Sequence, residues 1–228
     1  MPTTIKTALL VGASGLVGHE LVNIILENPD YETLTILVRK RMDVEHPKLV
    51  QIEVDFNRLE AYKDFFSVTD VFCCLGTTIK KAGSQAAFRK VDFEYPLVMA
   101  NLAKEQGAQK FLMITAIGAD AHSKVFYSRV KGEIEQEIKQ LGLASVHFFQ
   151  PSLLLGNRSE FRLGEKLAMI VSPIFGILMV GSLRKYKPVK AKEVAMAMQI
   201  IAQRPLTGTF TYQSDSIIDL SQQEKPHA

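Results

Sequence analysis

The sequence predicts an α/β fold in which a doubly wound parallel sheet is covered by helices on both faces. Three observations support this prediction. Apolar strand-like runs alternate with helical patterns, the first run leads directly into closely spaced glycines, and no linker or repeat interrupts the alternation. Continuous apolar strands separated by helices are typical of parallel sheets that are buried on both faces. With 228 residues the chain is long enough for one large domain and short for two.

The individual elements follow from the apolar periodicity. Strands are predicted at Lys6–Val11, Thr35–Val38, Leu49–Val54, Asp70–Leu75, Lys110–Thr115 and Ser145–Phe149. Helices are predicted at Gly15–Asn28, Leu59–Phe66, Phe93–Glu105 and Lys124–Leu141. Ligands bind at the carboxyl ends of the strands in this architecture, so the residues that follow each strand are the candidate site residues.

The composition is that of a soluble globular protein. Hydrophobic residues make up 47% and charged residues 22%, and the net charge of +3 is dispersed, so no nucleic-acid-binding surface is predicted. The two cysteines, Cys73 and Cys74, are adjacent in an apolar run and are expected as buried thiols in a reducing compartment. We therefore expect a cytoplasmic location without a secretory signal. The five histidines have no metal-ligand spacing, and no metal is predicted.

A glycine-rich turn follows the first predicted strand. The sequence GASGLVG occupies residues 12–18 and precedes an amphipathic helical pattern. Gly12 allows a tight turn, Gly15 lets the backbone approach a pyrophosphate, and Gly18 lets the helix pack closely on its strand. The helix N-terminus adds free N–H donors and a positive dipole end. The context favours dinucleotide binding over a turn without a ligand, through Gly12, Ser14, Gly15, Leu16, Val17 and Gly18.

Basic residues follow the second predicted strand. Arg39 and Lys40 stand where a cofactor with a free ribose 2′-hydroxyl would normally meet an acidic side chain. Cations suit a 2′-phosphate there, and arginine can bind it through two hydrogen bonds. We therefore predict NADP(H) as the cofactor, with a solvated basic turn as the alternative.

The third and fourth strands end in further candidate cofactor contacts. Asp55 can accept from the adenine amino group while Phe56 lines the ring, although a simple turn would explain the same residues. The small residues after the fourth strand let the backbone approach the cofactor, and their hydroxyls can donate to phosphate or ribose. The predicted contacts are Leu75, Gly76, Thr77 and Thr78.

A tyrosine and a lysine lie four residues apart in the last predicted helix. At this spacing Tyr127 and Lys131 share one helix face. A phenol titrates at about pH 10 and is a poor acid–base catalyst at neutral pH, but a neighbouring ammonium stabilises the phenolate. Lys131 can also hold the nicotinamide ribose. Such pairs also occur on solvated helices, and the preceding phosphate motif favours the catalytic interpretation.

The chain resembles the short-chain dehydrogenase/reductase superfamily. Within it, the resemblance is to the atypical branch that includes the Tat-interacting-protein oxidoreductases and small bacterial relatives. The resemblance implies a Rossmann fold, NADP(H) binding and Tyr127 as the proton donor to a carbonyl. The matching stretches, which span most of residues 5–165, are Gly12–Gly18, the turn at Arg39, Phe72–Thr78, Phe111–Asp120, Phe126–Glu133 and Phe149–Arg158.

The resemblance also assigns residues after the fifth and sixth strands. Thr115 falls where the family places a serine or threonine that polarises the substrate carbonyl, and Ala116 stands where relatives often carry a second hydroxyl. Pro151 and Ser152 fall in the segment that closes over the nicotinamide, with Gln150 where relatives often have arginine.

Together these features predict a single domain over residues 1–228 with the function of an NADPH-dependent oxidoreductase. The cofactor-binding core is expected at 5–150, a small substrate-side region at 151–220, and a disordered polar tail at 221–228. Tyr127, Lys131 and Thr115 are the predicted catalytic residues for a small carbonyl substrate. Two alternatives stay open: an NADPH-binding regulatory sensor with little turnover, and a sugar-nucleotide epimerase-like enzyme.

One segment complicates the prediction of a soluble protein. No charged residue occurs from Leu167 to Leu183, and basic residues flank the segment on both sides. It contains a proline and two glycines and is marginal against the roughly 20 helical residues that span a bilayer. We expect a buried or partner-facing broken helix, with a homodimer surface or peripheral membrane contact as alternatives.

Overall fold

The structure is a computed structural model that describes residues 5–156 and 181–223. Its strands are β1 (Lys6–Val11), β2 (Tyr31–Val38), β3 (Leu49–Glu53), β4 (Asp70–Cys73), β5 (Lys110–Ile114), β6 (Ser145–Gln150), β7 (Leu154–Leu155), β8 (Val189–Lys190) and β9 (Gly208–Gln213). Its α-helices are α1 (Leu16–Glu27), α2 (Ile79–Ala82), α3 (Gln85–Arg89), α4 (Tyr95–Glu105), α5 (Phe126–Gln140), α6 (Ala191–Gln203) and α7 (Ser214–Ser221). The 3₁₀ segments are Phe56–Phe66 and Gly181–Tyr186, and Lys90–Glu94 form one π-helical turn.

Seven parallel strands form one sheet in the order β3-β2-β1-β4-β5-β6-β9. The strand order reverses between β1 and β4, and the crevice at such a reversal is where this architecture binds ligands. The predicted doubly wound α/β fold is therefore confirmed. The short strands β7 and β8 pair separately, also in parallel.

Two hydrophobic cores lie on the two faces of the sheet. Neighbouring residues of β1 point to opposite faces, so Leu10 packs into one core and Leu9 into the other. Helices α1, α6 and α7 cover the Leu10 face, and α4, α5 and the 3₁₀ segment Phe56–Phe66 cover the Leu9 face. The helices on both sides explain why the central strands are apolar without alternation.

Several elements differ from the sequence-based predictions. Strand β2 begins at Tyr31 rather than Thr35, because the Tyr31 side chain is buried and its hydroxyl donates to Asp70 Oδ2 at 2.6 Å. The helix predicted at Leu59–Phe66 is a longer 3₁₀ segment with non-helical backbone angles at Arg58 and Tyr62. The stretch between β4 and α4 holds two short helices and the π-helical turn, none of which was predicted.

The chain after residue 150 extends the main sheet. Strand β9 pairs with β6 along its whole length, and α6 and α7 complete the core on the Leu10 face. None of these three elements was predicted. Of the apolar segment Leu167–Leu183, residues 167–180 lie outside the described residues, as do residues 224–228 of the predicted tail. Within the described part of the chain, no helix is long and apolar enough to span a bilayer.

Candidate functional site

The turn between β1 and α1 depends on glycine. Gly12 has a φ of +92°, in the left-handed region that side chains rarely adopt. A Cβ at Gly12 would also overlap the carbonyl of Cys74, and a Cβ at Gly18 would overlap the carbonyl oxygen of Gly12. At Gly15 a Cβ would lie 3.1 Å from the same oxygen, closer than an ordinary contact. The three predicted glycines therefore allow the backbone to fold tightly at the end of β1.

The N-terminus of α1 is suited to an anion. The helix begins at Leu16, and its N-cap is Gly15, which has no side chain to satisfy the free N–H groups of the first turn. No acidic residue lies in that turn. Free N–H donors and the positive end of the helix dipole are thus open to a phosphate group. The residues present fit the pyrophosphate of a dinucleotide.

A cleft at the carboxyl ends of the strands adjoins this turn. It encloses about 540 Å³, including its open mouth. Nine predicted site residues line it together: Gly15, Leu16, Val17, Leu75, Gly76, Thr77, Thr115, Tyr127 and Lys131. Four further lining residues were not predicted: Cys74, Asp92, Ile114 and Leu154. The cleft therefore joins the glycine turn to the predicted catalytic residues.

Tyr127 and Lys131 occupy the first two turns of α5. Their spacing directs both side chains into the cleft, as predicted. The Tyr127 side chain is 37% exposed, and its ring packs 5.6 Å from the ring of Phe88. Lys131, in contrast, is buried. The phenol can therefore meet a ligand while the ammonium lies behind it.

A buried carboxylate neutralises Lys131. The Lys131 Nζ lies 2.7 Å from Asp92 Oδ1, and the Thr77 backbone N–H donates to Asp92 Oδ2 at 2.9 Å. Burial lowers the pKa of Lys131, but the charge and hydrogen bond of Asp92, together with the nearby Tyr127, more than offset burial, and the pKa is raised. Lys131 is thus held as an ammonium. Asp92 was missed by the sequence analysis, since it lies in the π-helical turn, where no regular spacing relates it to Lys131.

Thr115 belongs to a second buried group. Its hydroxyl donates to Glu135 Oε1, and Gln150 Nε2 donates to both oxygens of the same carboxylate, at 2.9 and 3.1 Å. All three side chains are buried. Because the O–H of Thr115 already has an acceptor, donation to a substrate carbonyl requires it to leave Glu135. The donor role of Thr115 stays a prediction, and Glu135 is a second residue that the sequence analysis missed.

The residues predicted at the adenosine end lie after β2 and β3. Arg39 and Lys40 are exposed directly after β2. Asp55 caps the 3₁₀ segment, where its Oδ1 accepts from the backbone N–H of Asn57 at 2.9 Å. The ring of Phe56 packs 5.5 Å from that of Tyr95. These four residues lie outside the lining of the cleft and stay predicted cofactor contacts.

The remaining predicted contacts have structural partners. The Thr78 hydroxyl caps α2 by accepting from the Lys81 N–H at 3.1 Å. The Pro151 carbonyl accepts from the Ile117 N–H at 3.0 Å. The Ser152 hydroxyl donates to the carbonyl of Lys187. The contacts of Pro151 and Ser152 hold the segment that leads into β7, whose Leu154 lines the cleft.

Two adjacent cysteines lie beside the glycine turn, and Cys74 is half-buried at the cleft rather than buried as expected. Both are free, Cys73 is buried, and burial raises its pKa to about 12. Burial also raises the pKa of Cys74. A protonated thiol is a weak nucleophile, so a raised pKa disfavours nucleophilic chemistry at either cysteine.

Comparison with known proteins identifies the family. The chain matches the family of NAD(P)H-binding proteins over residues 12–148. It is 38% identical over 167 residues to protein HTATIP2 of Rattus norvegicus, covering 72% of this chain and 69% of that protein. It is 31% identical over 209 residues to the mitochondrial protein FMP52 of Candida albicans, covering 89% of this chain and 90% of that protein.

Solved structures share the fold. MoeE5 in complex with UDP-glucuronic acid and NAD superposes with a TM-score of 0.70 at 13% identity, over 90% of this chain and 75% of that one. The ADP-L-glycero-D-manno-heptose-6-epimerase of Helicobacter pylori does so with a TM-score of 0.67 at 14% identity, over 96% and 82%. The resemblance seen in the sequence is confirmed, and this chain belongs to the NAD(P)H-binding Rossmann family as a homologue of HTATIP2.

Proposed function

We propose that this protein is an NADPH-dependent oxidoreductase that reduces a small carbonyl compound. The observation that carries the proposal is the shared cleft. Tyr127 and Lys131 line the same space as Gly15 and Leu16 at the start of α1. The residues suited to a pyrophosphate and those suited to proton transfer therefore face one ligand.

The chain's own residues supply the proton and the orientation. When bound, the reduced nicotinamide supplies the hydride to the carbonyl carbon. Tyr127 donates its phenolic proton to the carbonyl oxygen as negative charge develops there. Lys131, held as an ammonium by Asp92, stabilises the charge left on the phenol oxygen. Holding both reactants in one cleft supplies a large share of the barrier reduction.

The preference for NADPH over NADH rests on the residues after β2. Arg39 and Lys40 are exposed there, and neither is an acid that would accept from a ribose 2′-hydroxyl. Two cations at this position favour a ligand with an additional phosphate. The NAD(P)H-binding family includes both nucleotides in its description, so the preference is tested by comparing NADPH and NADH binding.

The Tyr127→Phe variant tests the catalytic assignment. NADPH oxidation would be screened over aldehydes, ketones and quinones, and the variant compared with the wild type on any active compound. We expect kcat to fall by roughly two to four orders of magnitude, because the general acid is lost, while NADPH affinity changes little. Tyr186→Phe, at an exposed tyrosine of the 3₁₀ segment Gly181–Tyr186, is the matched control. Normal turnover by Tyr127→Phe would show that another group donates the proton.

A sensor that binds NADPH and a protein partner is the second candidate. Two observations favour it: the Thr115 hydroxyl already donates to Glu135, and Ala116 carries no hydroxyl. Tyr127 is then the main proton donor that faces a substrate in the cleft, which favours binding over turnover. Tight NADPH binding beside a silent substrate screen would select this function. The epimerase alternative would use the same pair of Tyr127 and Lys131, and the epimerases among the solved structures share the fold alone.

Location and assembly complete the proposal. We place the protein in the cytoplasm, which agrees with two free thiols. The relatives named as mitochondrial make fractionation of the native cells the deciding measurement. A homodimer through Leu167–Leu183 is the proposed assembly, and Leu183 is the apolar side chain of that segment that the structure shows exposed. Analytical ultracentrifugation with and without liposomes tests it.

A further inference from the structure

A second buried carboxylate lies one helical turn beyond Lys131. Tyr127, Lys131, Glu135 and Lys139 follow one another at intervals of four residues on α5, so each side chain lies beside the next along that helix. The first two line the cleft. Glu135 is buried behind Thr115, which also lines the cleft.

The two buried carboxylates differ in their partners. Asp92 has the buried ammonium of Lys131 at 2.7 Å. Glu135 receives hydrogen bonds from the neutral side chains of Thr115 and Gln150. Its nearest cation in the described part of the chain is Lys139, whose Nζ lies 3.7 Å away and whose side chain is 45% exposed.

The charges beside the cleft therefore do not cancel. Lys131 and Asp92 neutralise each other, while Glu135 leaves a negative charge that a solvated lysine only partly offsets. The Thr115 hydroxyl and the Gln150 amide together direct three hydrogen bonds at this carboxylate. Thr115, which donates to Glu135, itself lines the cleft.

We propose that Glu135 sets the preference of the cleft between oxidised and reduced nucleotide. The oxidised nicotinamide ring carries a positive charge and the reduced ring carries none, so a buried negative charge stabilises bound NADP⁺ relative to bound NADPH. Two unit charges about 10 Å apart at an effective dielectric constant of about 20 change a binding constant by roughly tenfold. This inference rests on the proposed function, which places a nicotinamide nucleotide in the cleft.

The Glu135→Gln variant tests the inference without any substrate. NADPH binding is followed by the fluorescence of the nucleotide itself, which is free of tryptophan background because the chain contains no tryptophan. NADP⁺ binding is measured by competition with NADPH. We expect the ratio of the NADP⁺ Kd to the NADPH Kd to rise by roughly tenfold. Glu137→Gln removes the same charge from an exposed position of α5 and should leave the ratio unchanged.

A second variant acts in the opposite direction. Lys139→Met removes the cation that offsets Glu135, so the same ratio should fall by about twofold, a small change because Lys139 is half solvated. This variant carries the test if circular dichroism shows that Glu135→Gln does not fold.

The outcomes separate the two proposals. A wild-type protein that binds neither nucleotide refutes the proposed function itself. A wild type that binds both, with Glu135→Gln giving the same ratio as Glu137→Gln, refutes only the role of Glu135. Equal weakening of both nucleotides by Glu135→Gln also refutes it, because a purely structural role would act on both. If Glu135→Gln does not fold, an unchanged ratio of the two Kd values in Lys139→Met likewise refutes the role of Glu135.

Discussion

Replacing Asp92 with asparagine should destabilise the fold strongly, because the ammonium of Lys131 would lose its counter-ion. Both side chains are buried, and their charged atoms lie 2.7 Å apart. The asparagine keeps an oxygen that can accept from the Thr77 N–H, so the change isolates the charge. Breaking a buried pair by removing one partner costs about 3–5 kcal/mol, out of a total stability of about 5–15 kcal/mol. At about 2–4 °C per kcal/mol for a chain of this size, Tm should fall by roughly 6–20 °C.

The destabilisation should depend on pH in a defined direction. Burial opposes the ammonium, but Asp92 raises the folded-state pKa of Lys131 above its ordinary value of 10.5. A raised pKa gives stability that is present below pH 10.5 and is lost as the pH rises through the folded pKa. Urea unfolding of the wild type and Asp92→Asn should therefore differ most at neutral pH. The difference should shrink above pH 10.5.

A double variant separates the ion pair from other effects of the mutation. Asp92→Asn combined with Lys131→Met removes both charges, so it should be less destabilised than the sum of the two single variants. Glu133→Gln, which breaks the partly exposed pair with Arg89, should lower stability by no more than about 1 kcal/mol. The reasoning fails if Asp92→Asn unfolds at the wild-type urea concentration, or if the double variant shows the full sum of the two losses.

Two further predictions concern the cofactor and acid stability. Arg39→Ala should weaken NADPH binding by about tenfold to a hundredfold, because one charge-assisted hydrogen bond contributes about 1.5–3 kcal/mol. NADH binding should stay unchanged, because NADH has no 2′-phosphate. Fluorescence titration with both nucleotides measures the two affinities, and equal losses would contradict a 2′-phosphate contact. Burial and Lys110 lower the pKa of His147 from 6.5 to about 4, so its stabilising effect is present above pH 6.5 and is lost as the pH falls towards 4. The pH dependence of urea unfolding should be flatter for His147→Gln than for the wild type over this range, and parallel curves would refute the assignment.

The fold was predictable where each element has a strong local pattern. Adjacent residues of strand β1 pack into two separate cores, so both faces of the strand are buried. This burial explains the continuous apolar run in the sequence. The start of β2 was missed because Glu32 is exposed and interrupts the apolar run after the buried Tyr31. The sequence around Leu59 predicts a helix, but only Leu59 and Phe66 are buried and the backbone is kinked at Arg58 and Tyr62, so a 3₁₀ segment forms instead.

The elements after residue 150 were missed for a different reason. Strand β9 has a half-exposed alternating pattern and is stabilised by pairing with β6, about sixty residues earlier in the chain. Such long-range pairing is not visible in a local window. Helix α6 did carry a local signal, with Glu193 capping the N–H of Lys190 and apolar residues at Val194 and Met198. This helix is therefore predictable from its own sequence.

The candidate site divides in the same way. Tyr127 and Lys131 were found because both lie on one regular helix, and Glu135 continues the same four-residue spacing and was therefore readable. Asp92 was not, because it approaches Lys131 from a π-helical turn in another part of the chain. The sequence therefore identifies the residues of the site, whereas a partner such as Asp92 is identified only from the structure.

The docking of α5 on the sheet determines these partnerships. Gly132 presses directly against the backbone of Asp120 and Ala121, where a Cβ would overlap both residues. Because Gly132 adjoins Lys131 in the helix, this close contact fixes the rotation of α5 about its axis. A rotation that took Glu135 away from the loop after β5 would also separate Lys131 from its counter-ion, since both side chains lie on one face. The placement of these charges beside the cleft therefore depends on this close backbone contact, which glycine permits, together with the burial of Ile134 and Ile138 in the core.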